Sequence, residues 1–411
     1  MPRLEFSSLT LLLAQMAVII VLSRVVAIVT RRLGQPRVIA EILAGIMLGP
    51  SLLGLVSHDA MVTLFPDSSL GQLKLLSQFG LIFFMFLVGL EFDLGVLRGR
   101  AKATLAISHG SIAVPFVLGA GLGVLLEPPA GITRIAFCLF CGIALSITAF
   151  PVLARILNEK KMMQTRVGSI AIAAAAIDDV TAWCLLAFVV AIARAQGVTQ
   201  AVWTCGLTAA FLGVMIFIVR PLLKRVRNTD LQILVSFVGL LATAGVAELI
   251  GIHALFGAFF FGVMVPRHDE LPQRLTKKLE SVSTMVLLPL FFAFSGLRTQ
   301  LGLLHTAGDW ALTAGIIALA TVGKFGAATA TARITGSTWK DATAVGVLMN
   351  TRGLMELVVL NIGLDLGVIS PELFTMMVLM ALVTTAATSP LLNLIGVERD
   401  APAPAGAVTA R

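Results

Sequence analysis

Long apolar stretches separated by short polar segments run through nearly the whole chain. A helix needs roughly 20 apolar residues to cross a bilayer, and most of the stretches match that length. They predict thirteen membrane-spanning helices, at residues 8–30, 37–54, 74–96, 102–126, 132–157, 166–193, 199–221, 230–250, 252–266, 280–297, 308–332, 340–366 and 372–396. The pattern therefore predicts an all-α polytopic membrane protein.

Composition narrows the class in the same direction. Of 411 residues, 58% are hydrophobic and 13% are charged, whereas soluble domains carry about 25% charged residues. The mean hydropathy is +0.97. These values exclude a soluble enzyme, a disordered chain and a disulfide scaffold.

The basic residues are distributed unevenly between the two sides of the predicted spans. With the N-terminus outside, 22 of the 30 Lys and Arg residues lie in inner loops or in the C-terminal tail, 5 lie outside and 3 lie within spans. This asymmetry satisfies the positive-inside rule. We therefore expect a plasma (inner) membrane protein with an outer N-terminus and a cytoplasmic C-terminus. The net charge of +8 reflects this topology and not a nucleic-acid partner.

The two halves of the chain share weak patterns. FFMFLVGL at 83–90 is echoed by FFAFSGL at 291–297, CGI at 141–143 by VGV at 345–347, and the glycines of span two by those of span nine. Six spans, one linker span and six further spans would place the second half upside down in the membrane, as in inverted-repeat transporters. Chance similarity between apolar segments is the alternative.

Both halves also carry a helix-breaking segment at a corresponding position. Pro151 in span five has no backbone N–H and clashes with the preceding turn, and span twelve carries NTRG at 350–353. Paired interruptions of this kind mark the substrate site of inverted-repeat transporters. An ordinary kink is the alternative for Pro151. The residues expected to support two discontinuous helices are Ser146, Pro151, Asn350, Thr351, Arg352 and Glu356.

Several charged residues lie near the middle of predicted spans, where charges are costly and mark functional sites. Asp178 and Asp179 occupy span six, and Lys324 occupies span eleven. Neighbouring helical residues point about 100° apart, so one carboxylate can face Lys324 while the other faces a cavity. A side chain that reaches the inner interface is the alternative for Lys324. Arg352 and Glu356 are four residues apart and can pair with each other.

This arrangement allows exchange chemistry. A buried carboxylate is destabilised as a bare charge, and either a proton or a monovalent cation can neutralise it. Competition between the two for one site that faces one side at a time produces antiport. Thr148, at the interruption of span five, joins Asp178 and Asp179 as a candidate ion- or proton-binding residue. No cofactor is expected besides the transported sodium or potassium and protons.

Four motifs are specific when taken together. They are SITAFPVLAR (146–155), IDDV (177–180), HALFGAF (253–259) and NTRGLMEL (350–357). With them the chain resembles the second monovalent cation:proton antiporter family, which includes sodium/proton antiporters, potassium-efflux proteins and plant cation/proton exchangers. The resemblance covers spans two to thirteen.

The resemblance implies a role for each of the central charges. Asp179 is expected to be the essential cation- and proton-binding carboxylate, and Asp178 is expected to pair with Lys324. Members with this combination are expected to be electrogenic, moving more than one proton per cation. Spans five and twelve look most like the plant exchanger branch, where potassium transport is common. Sodium and potassium therefore both stay open, with an electroneutral potassium/proton exchanger as the alternative.

The family fold also implies a division of labour along the chain. Crossed discontinuous helices would lie in a core formed by residues 101–196 and 306–397, which moves as an elevator against a panel. The panel, formed by residues 1–100 and 197–305, would hold a homodimer together in the bilayer. Residues 398–411, rich in Ala and Pro, are expected to form a short disordered cytoplasmic tail.

Other functions use some of the same features. A cation-coupled symporter or a channel on the same fold differs in stoichiometry alone. An intramembrane aspartyl protease also uses two membrane-embedded aspartates, but it takes them from different helices, whereas Asp178 and Asp179 are adjacent on one. A scaffolding role fits poorly with three charges near the midplane. We therefore predict a transporter and not an enzyme.

Overall fold

The computed structural model describes residues 7–91, 101–163, 165–194, 198–226, 229–266 and 271–396. Within these ranges the regular secondary structure consists of α-, π- and 3-10-helices, and no strand is present. The chain divides into two compact units, one comprising Met1–Ala27, Ala40–Asp93 and Leu186–Gly302, the other Ile28–Ile39, Leu94–Leu185 and Leu303–Arg411. We refer to them as unit 1 and unit 2. The predicted tail at 398–411 lies outside the described residues.

Unit 1 contains most of the first five helices of the chain, together with the helices of its middle third. Short π-helical turns, Met215–Val219 and Ser283–Leu287, interrupt two of its longer helical stretches. The α-helices are α1 (Ser8–Arg32), α2 (Arg37–Leu48), α3 (Leu53–Val56), α4 (His58–Leu64), α5 (Asp67–Glu91), α10 (Val198–Val214), α11 (Arg220–Arg225), α12 (Thr229–Ile250), α13 (Ala254–Met264), α14 (Leu271–Val282) and α15 (Leu288–Leu297).

Unit 2 contains two groups of four helices that are far apart in the sequence. A 3-10 turn at Leu301–Leu303 precedes the second group. The helices are α6 (Ala101–Leu125), α7 (Arg134–Ser146), α8 (Phe150–Glu159), α9 (Arg166–Arg194), α16 (Ala307–Ile334), α17 (Trp339–Met349), α18 (Leu354–Asp365) and α19 (Pro371–Ile395).

The lengths and hydropathy of these helices make the chain a multi-pass membrane protein, as the sequence predicted. Among the described residues, eleven helical segments are long and apolar enough to cross a bilayer, and Arg134–Ser146 and Ala254–Met264 are shorter apolar helices. The figure of thirteen spans and the inverted repeat stay predictions.

Two helices begin earlier than the apolar pattern indicated. α5 starts at Asp67 instead of residue 74, and the helical stretch that includes α15 starts at Leu271 instead of residue 280. Both extra segments are polar, so hydropathy assigned them to loops. Asp67 is an acidic first-turn residue, which favours a helix N-terminus.

Close helix packing in unit 1 depends on glycine. A Cβ added to Gly45 of α2 would lie 2.1 Å from the carbonyl oxygen of Ala293 in α15, and one added to Gly262 of α13 would lie 2.4 Å from that of Phe86 in α5. Any larger residue would push these backbones apart. The short helix of each half thus packs on the Phe-rich helix of the other half, which is the pattern expected of two related halves.

Unit 2 contains two interrupted helices. Residues 147–149 separate α7 from α8, and residues 350–353 separate α17 from α18. A break exposes backbone N–H and C=O groups that lipid cannot satisfy, so broken helices must lie within protein. The span that contains the second break, Trp339–Asp365, is 94% buried over its most apolar window, against 17% for α1.

Candidate functional site

Asp178 lies on α9 in unit 2 and is completely buried. Four side chains donate hydrogen bonds to its carboxylate. Ser108 of α6 donates to Oδ1 at 2.6 Å, whereas Oδ2 accepts from Ser111 at 2.9 Å, Thr148 at 2.7 Å and the Lys324 Nζ at 3.0 Å. Oδ2 therefore has more donors than its two lone pairs can accept at once, whereas Oδ1 has a single donor, Ser108, among the described residues.

Lys324 lies on α16 and is also completely buried. Besides its ion pair with Asp178, its ammonium group donates to the backbone carbonyls of Ser111, at 3.1 Å, and Ser146. All three ammonium protons therefore have acceptors. The side chain points into unit 2 and does not extend to an interface, which removes the alternative drawn from the sequence.

Asp179 differs sharply from its neighbour. It is 3% exposed, yet neither carboxylate oxygen has a hydrogen-bond partner among the described residues. An unpaired buried carboxylate is costly, so it needs a proton, a cation or water.

The two helix breaks are joined directly to each other. The N–H of Ala149 donates to the carbonyl of Thr351 at 3.0 Å, and the Thr148 hydroxyl lies 3.2 Å from the carbonyl of Met349. Thr148 therefore touches both Asp178 and the end of α17. One backbone N–H at the first break and one carbonyl at the second thus satisfy each other.

Arg352 occupies the second break and binds the end of the first half-helix. Its guanidinium donates to the carbonyls of Ala144 at 3.0 Å and Leu145 at 2.6 Å, and to Glu356 at 2.8 Å. The last carbonyls of a helix have no intrahelical partner and carry partial negative charge. Arg352 and Lys324 together therefore neutralise the C-terminal end of α7.

A hydroxyl pair on α19 fixes the second break. Thr385 Oγ1 accepts from the N–H of Arg352 at 3.0 Å and donates to its carbonyl at 2.7 Å. The hydroxyl of Thr388 lies 3.3 Å from that of Thr351. The backbone at the break is thereby bound from outside its own helix.

The structure places all the predicted site residues in unit 2. It brings Thr148, Ser146 and Lys324 together around Asp178, and Thr351, Arg352 and Glu356 around the second break. Asn350 ends α17, with a buried side-chain oxygen that has no partner among the described residues. Pro151 lies in the first turn of α8, where its missing N–H costs nothing. The functional roles assigned to these residues stay predictions.

Sequence reasoning missed the hydroxyl residues on neighbouring helices, Ser108, Ser111 and Thr385. The signal was present for the first two, which are polar residues three apart in an apolar span and therefore on one helix face. It was weak because membrane helices commonly bury hydroxyls against their own carbonyls, as Ser77 does with Leu73.

The fold and the site define a helical membrane transporter: two broken helices meet beside buried charges, and one carboxylate has no hydrogen-bond partner in the described part of the chain. A family model described as "Sodium/hydrogen exchanger, transmembrane" matches residues 17–394. The chain belongs to this family, which is one of transporters and not of enzymes.

Individual relatives support the same assignment. The chain is 43% identical to the Na(+)/H(+) antiporter NhaS4 of Synechocystis sp., over 98% of this chain and 100% of that protein. It is 42% identical to Cation/H(+) antiporter 17 of Arabidopsis thaliana, over 93% of this chain and 48% of the relative. It is 36% identical to K(+)/H(+) antiporter 1 of Saccharomyces cerevisiae, over 95% and 47%. The chain thus spans about half the length of the plant and yeast relatives.

Among solved structures, the chain is similar to the sodium proton antiporter MjNhaP1 from Methanocaldococcus jannaschii at pH 8. The TM-score is 0.62 at 13% sequence identity, over 94% of this chain and 99% of the other. At that identity the likeness shows a shared fold.

Proposed function

We propose that this protein is a secondary active antiporter that exchanges a monovalent cation, sodium or potassium, for protons. The observation that carries the proposal is the buried Asp179 carboxylate, which has no hydrogen-bond partner among the described residues and lies next to the hydrogen-bonded Asp178. A proton and a cation each neutralise Asp179, and binding of one excludes the other. Exchange follows when Asp179 faces the two sides of the membrane alternately.

The choice between sodium and potassium stays open for a chemical reason. Carboxylate and carbonyl oxygens suit both ions, and the selectivity depends on how many of them surround the ion. The relatives include one named for sodium and one named for potassium exchange. We therefore propose the cation class and leave the ion to measurement.

We further propose an elevator mechanism, in which unit 2 carries the site across the membrane relative to unit 1. The division of the chain into two units and the location of both broken helices in unit 2 support this view. We expect a homodimer in the plasma (inner) membrane, with the N-terminus outside and the C-terminus cytoplasmic.

The test measures proton flux in proteoliposomes under an imposed pH gradient, with sodium, lithium, potassium or rubidium added in turn. We expect at least one of these cations to collapse the gradient in the wild type. In Asp179→Asn the cation-driven flux should vanish, because an amide binds neither a proton nor a cation as a carboxylate does.

An exposed aspartate provides the matched control. Asp59 lies on α4, and Asp59→Asn removes the same charge and should leave the flux unchanged. Full activity in a folded Asp179→Asn protein would contradict the site. Movement of the cation and protons in the same direction would show symport instead.

A further inference from the structure

The two adjacent carboxylates are unequally available to a ligand. Asp178 accepts from four side-chain donors, whereas neither oxygen of Asp179 has a hydrogen-bond partner in the described part of the chain. A proton or cation that binds Asp178 competes with the Lys324 ammonium and with the hydroxyl donors that Asp178 already has. The same ligand at Asp179 displaces none. The availability of each aspartate is therefore set by its neighbours and not by depth in the membrane.

We infer that Ser108 and Ser111 are positioning residues that keep Asp178 closed on Lys324, so that Asp179 alone exchanges cation for proton. This inference rests on the proposed antiport function. It differs from the electrogenic exchange that the family resemblance implies, because it removes Asp178 from the transport cycle.

Ser108 carries most of this role. It is the donor to Oδ1 of Asp178, and its hydroxyl has no other acceptor among the described residues. The Ser111 hydroxyl lies 2.9 Å from Oδ2 but also 2.8 Å from the Ser108 carbonyl, so its single proton is shared. Loss of Ser108 would leave Oδ1 as unpaired as the oxygens of Asp179.

Tight packing of α6 on α16 fixes these donors. A Cβ on Gly110 would lie 2.5 Å from the Thr331 hydroxyl oxygen, and one on Gly323 would lie 2.9 Å from the side chain of Leu118. The helices α6 and α16 are therefore in close contact at Gly110 and at Gly323, the residues that precede Ser111 and Lys324. The Lys324 ammonium and the two serine hydroxyls are therefore presented to Asp178 by one helix pair.

The inference has a definite consequence for charge movement. When Asp179 alone cycles, one monovalent cation enters as one proton leaves, and no net charge crosses the membrane. When Asp178 also titrates, two protons move against one cation, and each cycle transfers one net charge. The two cases differ in their response to membrane potential.

The experiment finds the cation gradient at which net proton flux stops, at a fixed pH difference in proteoliposomes. It uses sodium and potassium as probes, at zero potential and at a potential set by an ion that the protein does not carry. One net charge per cycle shifts this zero-flux gradient roughly fiftyfold at about 100 mV, whereas one-for-one exchange leaves it unchanged. We expect no shift in the wild type.

The variants test the role of the hydroxyls. Ser108→Ala should make the zero-flux gradient depend on potential, and Ser108→Thr, which keeps a hydroxyl, should restore independence. Ser111→Ala should have the smaller effect, because Oδ2 retains Thr148 and Lys324. Ser77→Ala is the matched control, since Ser77 is equally buried in α5 and bonds only its own helix.

The outcomes separately test the antiport function, the number of charges moved per cycle and the role of the serines. No cation-driven proton flux in the wild type would remove the antiport function itself. A wild-type shift with potential would overturn the inference and leave antiport standing. If folded Ser108→Ala exchanges independently of potential, or if Ser77→Ala shifts equally, the serines have no such role. Ser108→Cys, whose thiol is a weak donor, replaces Ser108→Ala if that protein does not fold.

Discussion

At the residue scale, the two aspartates show how one step along a helix changes the chemistry of identical side chains. Asp178 points at α6 and α16, where hydroxyls and an ammonium donate hydrogen bonds to it. Asp179 is directed about 100° away and meets no such donors. The helix thereby holds two adjacent carboxylates, one with side-chain donors and one without a partner among the described residues.

Lys324 binds two backbone carbonyls in addition to Asp178, the partner that the sequence predicted for it. Its ammonium also donates to the carbonyls of Ser111 and Ser146, and these hydrogen bonds fix its position. It therefore links α6, the end of α7 and α9 through a single charged atom. Its removal leaves the buried negative charge of Asp178 without a counter-ion. It also removes the donor from the carbonyls of Ser111 and Ser146.

We expect Lys324→Ala to lower the free energy of unfolding by about 3–5 kcal/mol, the usual result of removing one partner of a buried ion pair. Thermal unfolding of the purified protein in detergent measures this. Lys278→Ala, at an exposed position on α14, serves as control and should leave Tm nearly unchanged. An equal Tm for Lys324→Ala and the wild type would show that the pair does not stabilise the fold.

At the scale of the elements, the breaks in two helices create partial charges that the sequence must neutralise. The end of α7 meets Arg352 and Lys324, and the end of α17 meets Thr148. Each break is thus stabilised by residues from a distant part of the chain. We therefore expect the meeting point of the two breaks to be rigid, since side chains and the bond between Ala149 and Thr351 hold it.

Thr385 offers a test of that rigidity, because its hydroxyl bonds both the N–H and the carbonyl of Arg352. Thr385→Val keeps the shape but leaves two buried backbone groups unpaired, at a cost of about 1–3 kcal/mol each. We expect a lower Tm and slower cation-driven proton flux in proteoliposomes.

The control for this variant is the preceding residue, Thr384. Thr384 is buried as well, but its hydroxyl bonds only carbonyls of its own helix. Thr384→Val should therefore have little effect on Tm or flux. If both variants behave alike, the two hydrogen bonds between Thr385 and the backbone of Arg352 have no special importance.

The breaks themselves could be predicted, whereas their partners could not. Pro151 and the NTRG segment are local signals, since proline and glycine act on the backbone at their own positions. The contacts of Thr385 and Ser108 join residues far apart in the sequence. No periodicity within one helix indicates which hydroxyl faces another helix.

At the scale of the whole molecule, the uneven distribution of Lys and Arg predicts how the chain sits in the membrane. The loop between α6 and α7 carries Glu127 and is expected outside, whereas Lys340, at the start of α17, is expected inside. Basic loops are retained on the cytoplasmic side.

Cysteine labelling tests this orientation. In intact bacterial cells, Glu127→Cys should react with a membrane-impermeant maleimide, and Lys340→Cys should react only after the cells are opened. The wild type gives the background from its four cysteines. The reverse pattern would invert the proposed topology.

The sequence by itself determined the class of the protein, its all-helical multi-pass fold, the two interruptions and the central charges. These follow from hydropathy, backbone chemistry and the cost of charge in lipid, all of which act residue by residue. Only the tertiary structure decided which aspartate has side-chain donors and which has no hydrogen-bond partner among the described residues. That difference arises because α6, α16 and the two broken helices present their donors to Asp178 and not to Asp179. Hydrogen bonds depend on direction as well as distance, and direction is set by the packing of helices that lie far apart in the chain.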